Sequence, residues 1–394
     1  MIVTALAFVP VAIWAYLLFG RGWFWLCRER DDADAADRGT HDAAADSPSV
    51  VAVIPARDEA EAVARAVGSL LRQDFSGRFS IVVVDDQSSD GTAGEARAAA
   101  EAAIAAGRVR IVTGSAPPQG WTGKLWAMRQ GLAVVEAEES PPEFVLFTDA
   151  DIAYAPQTLR RLVAIARETD SVLVSLMAKL RCVSTAERLL APAFVFFFQK
   201  LYPFAWVNDP GRRTAAAAGG CMLVRREALA AAGGLETLRD ALIDDCALAA
   251  AMKRQGAIWL GLTENVHSLR AHPDIADFGR MIVRSAFAQL HYSSILLIGA
   301  VAGMAATYLA PPLLAVFGHG AAQAAGLIAW ALMAFAFVPM LRFYRQPVAF
   351  GVALPAIAAA YTVFTIESAV QHWRGRGGKW KGRYQASTSS MGSA

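Results

Sequence analysis

Concentrated charge of either sign is missing from this chain: 37 Lys and Arg stand against 35 Asp and Glu, a formal charge of +2 over 394 residues. Affinity for a phosphate backbone needs a dense basic surface, so the balance argues against a nucleic-acid partner. Cysteine is scarce as well. Cys27, Cys182, Cys221 and Cys246 stand far apart, form no C-x-x-C pair, and read as free thiols of a reducing compartment. The six histidines lack H-x-x-x-H spacing, so no zinc signature is present, and His267 with His272 reads as a polar pair near a surface. Two phosphate-binding loops are also missing. Gly123-Lys124 would need glycine at 118 and Ser or Thr at 125 for a Walker A loop, but those positions hold Pro118 and Leu125. No G-x-G-x-x-G follows the first apolar run, which removes a dinucleotide fold.

Apolar residues are in excess. They make up 55% of the chain and give a mean hydropathy of +0.35, more than a soluble enzyme carries, so part of the surface faces lipid. Met1 to Phe19 is uncharged and apolar, without a basic leader or a small-residue cleavage site, and residues 1–20 read as a retained membrane anchor. Arg21, Arg28 and Arg30 follow it. By the positive-inside rule they put the N-terminus outside and the next domain in the cytoplasm, with Trp23 and Trp25 in the interfacial belt. Residues 21–48, Asp- and Ala-rich from Asp31 onward, read as a flexible linker. Near the other end, Asp274 to Tyr292 carries Arg280, Arg284 and apolar residues at helical spacing, which suits an interfacial helix over 271–292. Three apolar stretches follow within 293–371: Ile295 to Phe317, Ala324 to Leu341 and Val348 to Val370. Three full crossings would put the basic tail, residues 372–394, outside, against the positive-inside expectation, so either one proline-broken stretch is re-entrant, the favoured reading, or the tail is an exception to the rule. The result is a multi-pass protein of the inner membrane.

Residues 49–270 have a different pattern. VVAVIP (50–55), IVVVDD (81–86), VRIVT (109–113) and FVLFT (144–148) alternate with helical stretches near 59–73, 91–106 and 124–137, which predicts an α/β fold built on a parallel sheet. Ligands of such sheets sit beyond the carboxyl ends of the strands. The first strand ends in Pro55, Arg57 and Glu59, the second in Asp85 and Asp86, the fourth in Asp149 and Asp151, and three such endings on one edge suggest a nucleotide site. In extended backbone residues two apart face the same way, so Asp149 and Asp151 can share one cation, and oxygen ligands of this kind suit Mg²⁺ or Mn²⁺ carrying substrate phosphates. A helix cap at Asp149 and a turn at Asp151 would satisfy the same triplet. Leu189 to Val207, rich in aromatics and broken by Pro192 and Pro203, reads either as a membrane-surface segment that meets a lipid or as a core helix.

The ordered series VIPARDE, VVDDQSSDGT, GWTGKLWAMRQG, TDADI, GGCMLVRR and IDDCALA resembles the family 2 glycosyltransferases and their GT-A nucleotide-sugar-binding fold over residues 49–289. Gly120-Trp121 before Gly123-Lys124, and the Trp380 to Arg383 tail, are similar to the lipid-linked branch of ceramide glucosyltransferases and hopene-associated glycosyltransferases. The resemblance implies an inverting hexosyltransferase that moves a single sugar from a nucleotide-sugar donor, expected to be a UDP-sugar, to a hopanoid, polyisoprenoid or sphingolipid-like acceptor in the bilayer. Carried onto this sequence, it implies Asp85 and Asp86 at the base and ribose, Asp151 as the metal ligand with Asp149 beside it, and Lys124 and Arg284 on the diphosphate. It also implies Asp245 as general base next to Asp244, and Gly219, Gly220 and Cys221 as the acceptor floor. Each acid pair also fits a helix N-terminus, and Lys124 a solvated helix lysine. Asp244 stands where the family has Glu. Of the family's Q-x-x-R-W only Arg284 remains, which argues against a polymer synthase. A non-catalytic lipid-binding or transport protein on the same scaffold is the other alternative.

Overall fold

The computed structural model of the chain describes residues 6–31, 48–380 and 383–384. The four apolar runs become strands β1 (Val50–Ala56), β2 (Phe79–Asp85), β3 (Val109–Thr113) and β4 (Phe144–Thr148), paired in parallel in the order β3-β2-β1-β4. β1 and β4 are buried along their whole length, as near-continuous apolar runs require when helices cover both faces. Side-chain alternation divides them between two layers. Val51, Val53, Val82, Val84, Val145 and Phe147 pack on the helix Gly123–Glu136 through Leu125, Met128, Leu132 and Val135. Val50, Ala52, Ile54, Ile81, Val83 and Leu146 pack on the helices Ala60–Leu71, Thr92–Ala105 and Thr158–Glu168. Gly131 lets the first of these helices approach closely: a Cβ there would lie 2.5 Å from Val53 Cγ1.

The parallel expectation holds for only half of the sheet. β5 (Ile152–Tyr154), β6 (Ser171–Lys179), β7 (Cys221–Arg225) and β8 (Ala257–Ser268) extend it to eight strands in the order β3-β2-β1-β4-β7-β6-β8-β5. β4–β7, β7–β6 and β8–β5 are antiparallel, while β6–β8 is parallel. The reversal at β7 brings residues 218–220 up to the end of β4, beside Asp149.

Part of the expected linker is core. Phe24 and Asp31 are each 1% exposed, and Asp31 Oδ2 accepts hydrogen bonds from Thr263 (2.7 Å) and Asn265 (3.0 Å). Trp25 is buried rather than interfacial and donates its indole N–H to Leu18 O at 3.0 Å. Residues 32–47, the rest of that linker, and 1–5 of the expected anchor lie outside the described residues, as do 381–382 and 385–394 of the tail. The aromatic run forms the helix Thr185–Leu201, started by a capping box between Ser184 and Glu187 and continuing through Pro192. It is a core helix. Phe196 is fully buried between Phe24 (ring centroids 5.3 Å) and Phe337 (5.1 Å), so one face joins the α/β domain to the apolar helices.

Among the described residues three helices are long and apolar enough to cross a membrane: Ser294–Phe317, Ala321–Phe343 and Val348–Trp373. The first contains a π-turn at Ala305–Leu309, next to Pro311 and Pro312, whose missing N–H groups loosen the backbone ladder. Val9–Phe19 packs beside them through the fully buried Trp14, which meets Tyr308 edge-on at 5.6 Å.

Candidate active site

At the carboxyl edge of the sheet, β4 ends at Thr148 and the chain turns through Asp149 and Asp151 into β5. Thr148 Oγ1 donates to Gly220 O (2.9 Å), and Tyr154 OH lies 2.8 Å from Thr148 Oγ1, so the acidic loop is tied to the residues that precede β7. The loop faces a cavity of about 480 Å³. Asp149, Asp151, Lys124, Asp245, Gly219 and Gly220 line it, and so do the apolar Phe194, Phe198 and Met281.

Cations hold the carboxylates. Lys124 enters at the first turn of its helix, whose N-cap is Thr122, and its Nζ lies 2.9 Å from Asp149 Oδ1 and 3.0 Å from Asp244 Oδ2. Burial alone would lower its pKa, but the carboxylates of Asp149 and Asp244 hold its ammonium above the ordinary value. Arg270, just beyond β8, gives its Nε to Asp151 Oδ2 at 2.8 Å and its Nη2 to Glu59 Oε1. Burial pushes Asp149 up, and Lys124 opposes the shift.

Asp245 sits in the first turn of the helix Asp244–Met252. Its Oδ2 accepts from the Gly219 N–H at 2.9 Å and its Oδ1 from the Cys246 N–H at 2.7 Å. Burial, then the neighbouring Asp244 carboxylate, raise it to about 6, against Lys124 and the two N–H groups. A Cβ on Gly219 would stand 3.3 Å from both Asp245 Oδ2 and Lys124 Nζ, so only glycine leaves these two groups their present room.

Of the residues expected at the site, Pro55, Arg57, Glu59, Lys124, Asp149, Asp151, Gly219, Gly220, Asp245 and Arg284 line this one cavity, and Asp244 reaches it through Lys124. Asp85 and Asp86 do not. Asp86 is fully buried with its carboxylate 3.7 Å from Arg57 Nη1, and Arg57 is the residue at the cavity wall. Cys221 does not form floor either. It opens β7 with its side chain in the core under the sheet, where burial pushes the thiol up to about 12. Arg270 and His272 also line the cavity, with no motif around them in the sequence. His267 is exposed, whereas His272 is buried, lines the cavity, and has its Nδ1 2.8 Å from Asp277 Oδ2, so the two do not form a surface pair.

Among the described residues no three His, Cys, Asp or Glu side chains form a metal-binding group. Asp149 and Asp151 are a pair of carboxylates on the cavity wall, each giving one oxygen to a resident cation. One or two carboxylates, completed by substrate phosphates and water, are the usual protein share of a Mg²⁺ shell, so this donor set fits such an ion.

Residues 51–233 match the family model described as Glycosyl transferase family 2. Among solved structures, the chain is similar to the mannosyltransferase PcManGT from Pyrobaculum calidifontis in complex with GDP-Man and Mn²⁺, at 19% identity and TM-score 0.51, covering 93% of this chain and 99% of that one. Glucosyl-3-phosphoglycerate synthase from Mycobacterium tuberculosis matches at 22% identity and TM-score 0.37, over 61% of this chain and 78% of that one. No curated protein matches the chain. At 19% identity the likeness to the mannosyltransferase concerns the fold alone, a GT-A-like α/β sheet.

Proposed function

We propose, from the premise that residues 51–233 form a family 2 glycosyltransferase domain, that this is a membrane-bound inverting enzyme. It moves one sugar from a nucleotide-sugar donor, a UDP-sugar in this reading, to the hydroxyl of a hopanoid or similar polyisoprenoid or sphingolipid-like acceptor. The observation that carries the proposal is the mixed lining of one cavity: Asp149, Asp151 and Asp245 share it with Phe194, Phe198 and Met281, which stand on helices that pack against the apolar segments.

Lys124, Arg270 and Arg284 supply positive charge to the donor diphosphate. Asp149 and Asp151 would hold Mg²⁺ or Mn²⁺, which supplies Lewis-acid neutralisation of the departing diphosphate. Asp245 accepts the proton of the acceptor hydroxyl as that oxygen bonds to the anomeric carbon and the sugar–phosphate bond breaks. A pKa of about 6 leaves this base mostly ionised at neutral pH while keeping it a useful proton acceptor. Attack from the face opposite the leaving group inverts the anomeric carbon. The mannosyltransferase of similar fold, solved with GDP-Man and Mn²⁺, supports a nucleotide sugar with a divalent ion. The test is incubation of the purified protein with membrane-lipid extract and radiolabelled UDP- and GDP-sugars in Mg²⁺ or Mn²⁺. A lipid product carrying one sugar is expected; no lipid product with any donor, or a polymer, overturns the proposal.

For topology, the contacts support a last apolar segment whose two ends lie on the same side as the α/β domain, and we take that side to be the cytoplasmic one. Lys179 of β6 donates to Phe343 O at 2.8 Å just before the last apolar segment begins. At the end of that segment His372 stacks on Tyr292 at 4.4 Å and Trp373 lies 5.7 Å from Phe287. Val348–Trp373 therefore starts and finishes beside the domain, which favours a re-entrant course and keeps Arg374 and Arg376 inside.

A further inference from the structure

Away from the cavity, the C-terminal turn of the helix Thr185–Leu201 carries a cation for which the transfer reaction has no use. Lys200 Nζ lies 4.8 Å from the Tyr308 ring centroid and 5.4 Å from that of Phe197, and among the described residues it has no carboxylate partner. A second cation is fixed next to it. Arg21 gives its Nε to Lys200 O at 2.8 Å and its Nη2 to Leu201 O at 3.2 Å, capping the helix, and also lacks a carboxylate partner among the described residues. Its guanidinium stacks 5.3 Å from Trp206, which Arg212 approaches to 4.7 Å from its own position. Burial, then the charge of Arg21, pull the Lys200 ammonium down to about 8, as expected for a cation in apolar surroundings without a counter-charge. Beneath it the Tyr308 hydroxyl is buried with no hydrogen-bond partner among the described residues. Two neighbouring half-buried cations repel each other, and the pair is costly unless an anion joins them. The exposed residues around the pair are Phe19 (66%), Trp23 (44%) and Leu201 (44%), an apolar and aromatic rim of the kind that sits at the bilayer boundary.

We propose that Lys200 and Arg21 form a binding site for the phosphate of an anionic phospholipid, seated where the Val9–Phe19 helix leaves the bilayer beside the helix Thr185–Leu201. The phosphate oxygens take the two charges, the rim takes the start of the acyl chains, and the lipid fastens the catalytic domain to the cytoplasmic leaflet. A dissolved phosphate would meet the same cations but gain nothing from the rim. The inference rests on the membrane reading above and not on the identity of the sugar acceptor.

The test is the melting temperature of the detergent-purified full chain titrated with phosphatidylglycerol, with phosphatidylcholine, and with inorganic phosphate. Phosphatidylglycerol should raise the melting temperature at concentrations where the other two do not. Lys200→Met, which keeps the packed stem, should need about fivefold more lipid for the same shift, the loss of one basic residue at an anionic surface. Lys200→Arg should respond as the wild type does, which shows that charge and not a folding defect is being read. A Lys200→Met response equal to the wild type, or an equal shift from inorganic phosphate, overturns the site while leaving the membrane reading in place. A wild type that stays soluble and monomeric without detergent removes both.

Discussion

At the residue scale the proposed reaction turns on Asp245 and Gly219. If Asp245 is the base, its carboxyl, raised to about 6, accepts a proton only above that pH, so kcat/KM should fall as pH drops through about 6, in a pH–rate profile taken at fixed metal. A profile flat from pH 5 to 8 would remove Asp245 as the base. Gly219→Ala would push a Cβ into the 3.3 Å gaps to Asp245 Oδ2 and Lys124 Nζ, and should lower kcat about tenfold with little change in melting temperature, since a small misplacement of a reacting group is enough. Most of these residues were legible because each follows a recognisable strand end or glycine pair. Cys221 was misread for a reason also available in the sequence: side chains alternate along a strand, and Cys221 and Leu223 share the face opposite Met222 and Val224. Arg270 had no local signal. It is one arginine in a connection after β8, and only the folded sheet brings it to Asp151.

Among the elements, the first four strands and their helices were predicted to within two residues because β-branched runs and helical stretches alternate cleanly. β6 and β8 were not identified. SVLVSLMAK and AIWLGLTENVHS contain few turn signals at their ends, and their parallel pairing across an intervening chain of more than seventy residues has no local signature. The helix Gly123–Glu136 is the element on which the site leans, since it carries Lys124 at one end and rests on β1 and β2 through Gly131. Gly131→Ala would force a methyl to within 2.5 Å of Val53 Cγ1 and 3.1 Å of Val84 Cγ2. Overpacking of this kind should cost about 1–3 kcal/mol in chemical denaturation, despite the higher helix propensity of alanine. A neutral or stabilised variant would show that the helix can ride outward without strain.

At the scale of the whole molecule, the proposed function puts a sugar-transfer domain on the cytoplasmic face of a bilayer. The basic tail was the clue legible in the sequence; the packing of His372 on Tyr292 was not, because it depends on two segments 80 residues apart meeting beside the domain. A cysteine placed at Gly375 should be protected from a membrane-impermeant thiol reagent in intact cells and labelled after the membrane is opened, whereas labelling of intact cells would make the last segment a full crossing. The most direct measurement is single-turnover sugar transfer to membrane lipid by Asp245→Asn beside the wild type, with donor binding followed by thermal shift on the same samples. The account predicts a loss of about 100-fold or more in transfer, the usual share of a general base, with the donor-induced shift preserved. Transfer at the wild-type rate by that variant would contradict it.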